Sequence, residues 1–196
     1  MTRRGPNKQR AEATRRELVT GARDLFLRHG YTATSPNDIA LACGMTKGAL
    51  YHHFKTKTEV LDAVVRLIQH ELRTAVLATA RAAKDPWDQI EAGCTAYLRS
   101  VWATPGLHRL LYTDATAALG WQRWRQIDEQ YWSKDLRAAL TRALGEGSEQ
   151  IEPAATIILG TLTHIAADPA RPDGLTPAAS VIRLLIAAIR VTTSDT

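Results

Sequence analysis

Between Thr34 and Phe54 two helix-starting signals stand close together with a glycine between them, and this constrains the chain more than any other feature. Thr34 or Ser35 can cap a helix that has Pro36 in its first turn and runs through Asp38, Ile39, Ala40 and Ala42. Gly44 ends it, because a tight turn favours the positive φ that glycine adopts freely. Thr46 then caps a second short helix, Lys47 to Phe54. Two short helices joined by a glycine-containing turn form a helix-turn-helix if longer helices flank them.

The flanking sequence meets that condition. Leu18, Ala22, Leu25, Phe26 and His29 recur at helical spacing from Glu12 onward, and Gly30 stands where the helix would stop. Before it, Thr2 to Arg10 is basic, contains Gly5 and Pro6, and reads as a flexible arm. After the pair, Thr56 and Glu59 have capping-box spacing and open a helix with Leu61, Val64, Val65, Ile68 and Leu72 on one face. Further amphipathic segments follow, with breaks at Asp85-Pro86, Thr104 to Gly106, Gly145 to Gly147 and Asp168 to Gly174. No segment alternates like a strand, so the expectation is an all-α chain: a helix-turn-helix domain over residues 1–57 and a helical domain over 58–196.

Charge follows the same division. Residues 1–57 hold eleven Lys and Arg against four acids, a balance of +7, whereas the remainder carries 14 basic and 16 acidic groups. A basic module on a slightly acidic body fits a polyanion partner for the first part, or a solvated basic face. The longest apolar stretches are too short to span a bilayer, and no apolar run follows the N-terminal arginines, so a cytoplasmic protein is expected. Cys43 and Cys94 read as small buried hydrophobes. Metalloprotease, nucleophile-elbow, P-loop and dinucleotide spacings do not occur, so neither an enzyme nor a cofactor is expected.

The second short helix has two faces. At 100° per residue, Lys47, Gly48, Tyr51, His52 and Lys55 share one arc, while Ala49, Leu50, His53 and Phe54 share the other. The first arc suits a major groove, with lysines and a tyrosine hydroxyl on phosphates and His52 near a base edge or phosphate. Adjacent His52 and His53 point 100° apart and do not form a metal pair. Tyr31 and Phe54 read as core.

The run Asp38-Ile39-Ala40-Leu41-Ala42-Cys43-Gly44-Met45-Thr46-Lys47-Gly48-Ala49-Leu50-Tyr51-His52-His53-Phe54-Lys55-Thr56-Lys57 resembles the DNA-binding signature of the TetR family of transcriptional regulators. The likeness extends back through Ala22, Leu25, Phe26, Gly30, Tyr31 and Thr34. It implies DNA contacts from Thr46, Lys47, Gly48, Tyr51, His52, Lys55 and Lys57, with Thr46 and Tyr51 mainly on phosphates. Arg3, Arg4, Lys8 and Arg10 resemble the basic extensions that some members lay along DNA. Pro36 departs from the usual pattern, and Asn37 could replace its contact.

Beyond residue 58 the resemblance implies architecture and little chemistry. Its four-helix dimer bundle would come from Ala154 to Ala166 and Thr176 to Val191, with Ile157, Gly160, Thr161, His164, Ile182, Leu185, Ala188 and Ile189 at the interface. All five tryptophans lie in this part, and with other rings they could line a pocket for an apolar or aromatic effector. The candidates are Tyr97, Trp102, His108, Tyr112, Trp124, Asp128 and Tyr131. The expected function is a repressor that binds palindromic operator DNA as a homodimer and is released by a small effector; the alternative is a sequence-tolerant DNA-binding protein without one.

Overall fold

Pro6 begins the first helix, so the stretch expected to be a flexible arm is helical from that residue on. Proline presets the φ of a first helical turn, and Lys8, Gln9 and Arg10 behind it are good helix formers. The structure is a computed structural model that describes residues 6–168 and 175–192. Lys8 and Arg10 are exposed on α1 (Pro6–His29), while Arg3 and Arg4 lie outside the described residues. There follow α2 (Pro36–Ala42), α3 (Lys47–His53), α4 (Lys57–Ala80), α5 (Pro86–Ala103), a π-helical stretch (Arg109–Asp114), α6 (Ala115–Leu119), α7 (Trp121–Leu144), α8 (Ile151–Ala167) and α9 (Leu175–Thr192). The described residues contain no strand, and none of their helices is long and apolar enough to cross a membrane.

Two units divide the chain. One comprises residues 1–68 and 105–124, the other residues 69–104 and 125–196, with boundaries inside α4 and α7. In the first unit, Leu18, Ala22 and Phe26 of α1 are fully buried, as are Ile39 and Ala40 of α2, Leu50 of α3 and Leu61, Val64 and Val65 of α4. Each large apolar side chain so buried contributes roughly 1.5–3 kcal/mol. Ser35 caps α2 reciprocally: its hydroxyl accepts from the Asp38 amide and the Asp38 carboxylate accepts from the Ser35 amide. Gly44 has φ +64, as the turn before α3 requires.

The segment 105–124 joins this unit through contacts no local pattern announces. Gly106 has φ +77, and a Cβ there would lie 2.0 Å from the Leu27 carbonyl oxygen. Three residues further on, Arg109 donates from Nη2 to two carbonyls in the last turn of α1, that of Leu27 (2.9 Å) and that of Phe26 (3.1 Å), which also accepts the Gly30 amide at 2.9 Å. Asp114 accepts the Tyr31 amide at 3.0 Å. The π-helical stretch therefore closes the C-terminal end of α1.

In the second unit, α5 presents Trp87, Ile90, Cys94, Tyr97, Leu98 and Val101 to its core. Ala155, Ile158 and Ala166 of α8 and Ala178, Ile182 and Ile186 of α9 are buried with them. Asp85 caps α5 by accepting from the amides of Trp87 and Asp88. Ile182, expected at a dimer interface, is fully buried within its own chain. It shares the inward face of α9 with Ala178 and Ile186, so the outward stripe is the one through Val181, Leu184 and Val191.

Gly106→Ala should destabilise the protein by about 2–4 kcal/mol, since a Cβ meets backbone and the φ is unfavourable to other residues. Urea denaturation followed by far-UV circular dichroism measures it; an unchanged midpoint would show that the segment does not need this close approach.

Candidate nucleic-acid interface and ligand cavity

The Thr46 hydroxyl accepts the Ala49 amide at 3.2 Å and fixes the start of α3. Leu50 is fully buried, Phe54 is 2% exposed, and the Arg15 guanidinium lies 4.6 Å from the Phe54 ring centroid. These anchors turn Lys47, Gly48, Tyr51 and His52 outward, and all four are exposed, as is Lys55 just beyond the helix. Asn37 is exposed on α2. His53 is half-buried, and its pKa is lowered chiefly by burial and further by His52 and Arg15, which favours its neutral form.

Lys57 behaves differently from its neighbours. Its ammonium donates to the carbonyls of Tyr31 (3.0 Å) and Thr34 (3.1 Å) and sits 4.1 Å from the Tyr31 ring centroid. The Tyr31 hydroxyl is 3.2 Å from that of Thr58. Lys57 thus ties the first turn of α4 to the loop between α1 and α2, rather than extending outward as expected. The Glu59 carboxylate accepts the Lys55 amide at 2.8 Å, and its own amide donates to Thr56 Oγ1, holding the link between α3 and α4.

The second unit contains a cavity of about 430 Å³, lined by α4, α5, α7 and α8. Among the expected ligand residues, Tyr97 and Asp128 line it. Trp102 and Tyr131 are half-buried away from its wall. His108, Tyr112 and Trp124 fall in the first unit, where Tyr112 lies 5.9 Å from His108 and 5.5 Å from Trp124, and Trp121 stacks on Trp124 at 5.2 Å. The clamp of residues 106–114 on α1 ties His108 and Tyr112 to the first unit.

Residues not singled out in the sequence complete the polar corner of the cavity. Fully buried Gln69 donates to Asp128 Oδ1 at 3.0 Å and accepts the Trp132 indole N–H at 2.9 Å. Trp132 lines the wall one turn from Asp128 and meets Tyr97 edge to face, ring centroids 5.0 Å apart. Gln69 had one legible signal: it interrupts the apolar face of α4 beside Val65, Ile68 and Leu72. Burial pushes the Asp128 carboxyl up to about 7, Gln69 opposes this, and the nearby Glu129 adds to it. A second wall carboxylate, Asp135, is paired with Arg73, whose Nη2 donates to it at 2.8 Å. Burial also raises the Cys94 thiol, to about 12; Cys43, by contrast, is half-buried and within 3.5 Å of the Glu17 carbonyl.

Comparison with known proteins agrees with this geometry. Residues 18–64 match the model of bacterial regulatory proteins, tetR family, and residues 87–189 match the tetracyclin repressor-like C-terminal domain. The chain belongs to the TetR family of transcriptional regulators. The Transposon Tn10 TetC protein of Escherichia coli is 27% identical over 69% of this chain and 68% of its own length. The Probable acrEF/envCD operon repressor of Escherichia coli (strain K12) is 35% identical over 53% of this chain, and the match spans about half of that relative, 48% of its length. A TetR-family transcriptional regulator from Pectobacterium atrosepticum superposes with a TM-score of 0.78 at 27% identity, covering 95% of this chain and 97% of that one.

Asp128 should leave a pH signature on stability. A carboxyl raised from 3.8 to about 7 keeps a proton in the folded state that the unfolded chain has released. Its contribution is therefore complete below about pH 4, declines as pH rises through that window and levels off above pH 7. At about 1.4 kcal/mol per pH unit, the protein should lose on the order of 2–3 kcal/mol between pH 5 and pH 8 relative to Asp128→Asn. Parallel pH profiles of the two proteins in urea denaturation would overturn the assignment.

Proposed function

We propose that this protein is a repressor that binds a palindromic operator as a homodimer and releases it when a small apolar effector occupies the cavity. The observation that carries this reading is the division of α3 into a buried Leu50 face and an exposed face of Lys47, Gly48, Tyr51 and His52. Gly48 allows close approach to a groove, the cations and the Tyr51 hydroxyl suit phosphates, and His52 suits a base edge or phosphate. Lys55, Asn37, Lys8 and Arg10 extend the same reading at its margins, with Lys57 as a positioning residue.

Dimerisation is supported by the apolar surface left on the last two helices. Val181 (50%), Leu184 (70%) and Val191 (63%) are exposed on α9, with Ile157 (49%) on α8. Gly160, His164 and Ala188 are also exposed, while Thr161, Leu185 and Ile189 are half-buried. Val181, Leu184, Ala188 and Val191 follow the spacing of one helix face, and a self-complementary bundle would cover them. Two copies also supply the paired recognition helices that a palindrome requires. The apolar cavity supports an effector, which shifts the equilibrium only by preferring the arrangement that does not fit the operator.

Selection from a random DNA pool should recover a palindrome. Lys47→Ala and Lys55→Ala should each weaken binding across sequences and reduce the salt slope by about one. His52→Ala should instead change preference at one or two positions; equal affinity for all sequences would remove the operator reading. In sedimentation, Leu184→Asp should shift the protein to monomer, and a persisting dimer would place the interface elsewhere.

A further inference from the structure

We propose that the cavity takes an apolar organic cation, its charged nitrogen at Asp128 beside the rings of Trp132 and Tyr97. This inference rests on the effector reading and narrows it to a chemical class. Three observations converge on it. Gln69 fixes the Asp128 carboxyl through Oδ1, and it is itself fixed by the Trp132 indole, so the carboxyl is held in place. No basic side chain pairs with Asp128 among the described residues, whereas Asp135 further along the wall is matched by Arg73. The remaining wall near Asp128 is apolar and aromatic, with Trp132 and Tyr97 in edge-to-face contact.

A carboxyl in such surroundings needs either a proton or a counter-charge. A cation with an apolar body supplies the counter-charge, and ring faces attract it further. Arg81 and Arg142 also line the cavity, but both are exposed, and Arg142 donates to Gln89. Arg142 stands roughly 20 Å from Asp128 along α7 at 1.5 Å per residue, too far to neutralise it. Those arginines suit a polar tail at the opposite end. The groups around Asp128 that bear on its charge are Gln69 and paired Arg73 on α4, Tyr97 and Cys94 on α5, and Glu129 and paired Asp135 on α7; α8 contributes only Ile158, Leu159, Leu162 and Thr163 to the wall.

The test uses three probes of one shape on the full-length protein: 2-naphthylmethyl-trimethylammonium, neutral 2-naphthylmethanol and anionic 2-naphthoate, titrated by calorimetry. At pH 8 the cation should bind at least tenfold more tightly than the other two. Its charge is permanent, so its affinity should rise about tenfold per pH unit between pH 5 and pH 6.5 and flatten above pH 7.5 as Asp128 gives up its proton. Asp128→Asn should abolish that pH dependence while retaining 2-naphthylmethanol binding. Equal or better binding of the alcohol or the anion, or a pH-independent affinity for the cation, would overturn the cation proposal and leave the effector cavity standing. Binding of none of the three would overturn the cavity reading itself, and the cation proposal with it.

Discussion

The close approach of Gly106 to the Leu27 carbonyl is the constraint on which the first unit depends. Helix ends leave carbonyls short of partners, and α1 ends beside the loop that leads to α2. Arg109 adds a charged donor to the last-turn carbonyls of Phe26 and Leu27, and Asp114 takes the Tyr31 amide just beyond. Such charge-assisted bonds are roughly twice as strong as neutral ones. They form only if the chain at residue 106 touches backbone, which a side chain there would prevent. Together with Lys57, which holds the same loop from α4, they fix where α1 stops and hence where α2 and α3 begin.

That rigidity matters because α3 is too short to hold itself. A seven-residue helix is marginal in isolation, so its orientation comes from Leu50 and Phe54 and from the caps at Thr46 and at Thr56 with Glu59. Its outward residues contribute little to stability and are correspondingly free to serve recognition. The energy that aims the exposed face resides in the buried one and in the clamp behind α1.

The local pattern made the helix-turn-helix legible because caps, glycine turns and the phase of apolar residues all act within a few positions. The same phase argument separated Lys47, Tyr51 and His52 from Leu50 and Phe54. It failed where the deciding contact is distant in sequence. Lys57 looked like one more exposed cation, but its partners are carbonyls on a loop that precedes two helices. His108, Tyr112 and Trp124 looked like pocket rings by composition, yet the clamp on α1 claims their segment for the first unit. On α9 the apolar residues at 182, 185 and 189 and those at 181, 184 and 191 are equally good helix faces in the sequence. Only the packing of α5 and α8 against Ile182 and Ile186 decides which face remains outside.

Asp128 shows the opposite balance between stability and use. A core shaped by stability alone would place an apolar residue or an amide where Gln69 and Trp132 converge, because a buried carboxyl without a counter-charge costs free energy at neutral pH. Asp135, two turns along the same helix, shows how the protein treats a carboxylate in a purely structural position: it provides Arg73. The difference between the two lies in what faces them. Asp135 is neutralised within the chain, whereas Asp128 meets only the uncharged Gln69 donor and holds its proton to about pH 7 beside the rings of Trp132 and Tyr97. The proposed cation would recover the cost of burying that carboxyl, so the same free energy that weakens the fold at high pH would favour the molecule that neutralises it.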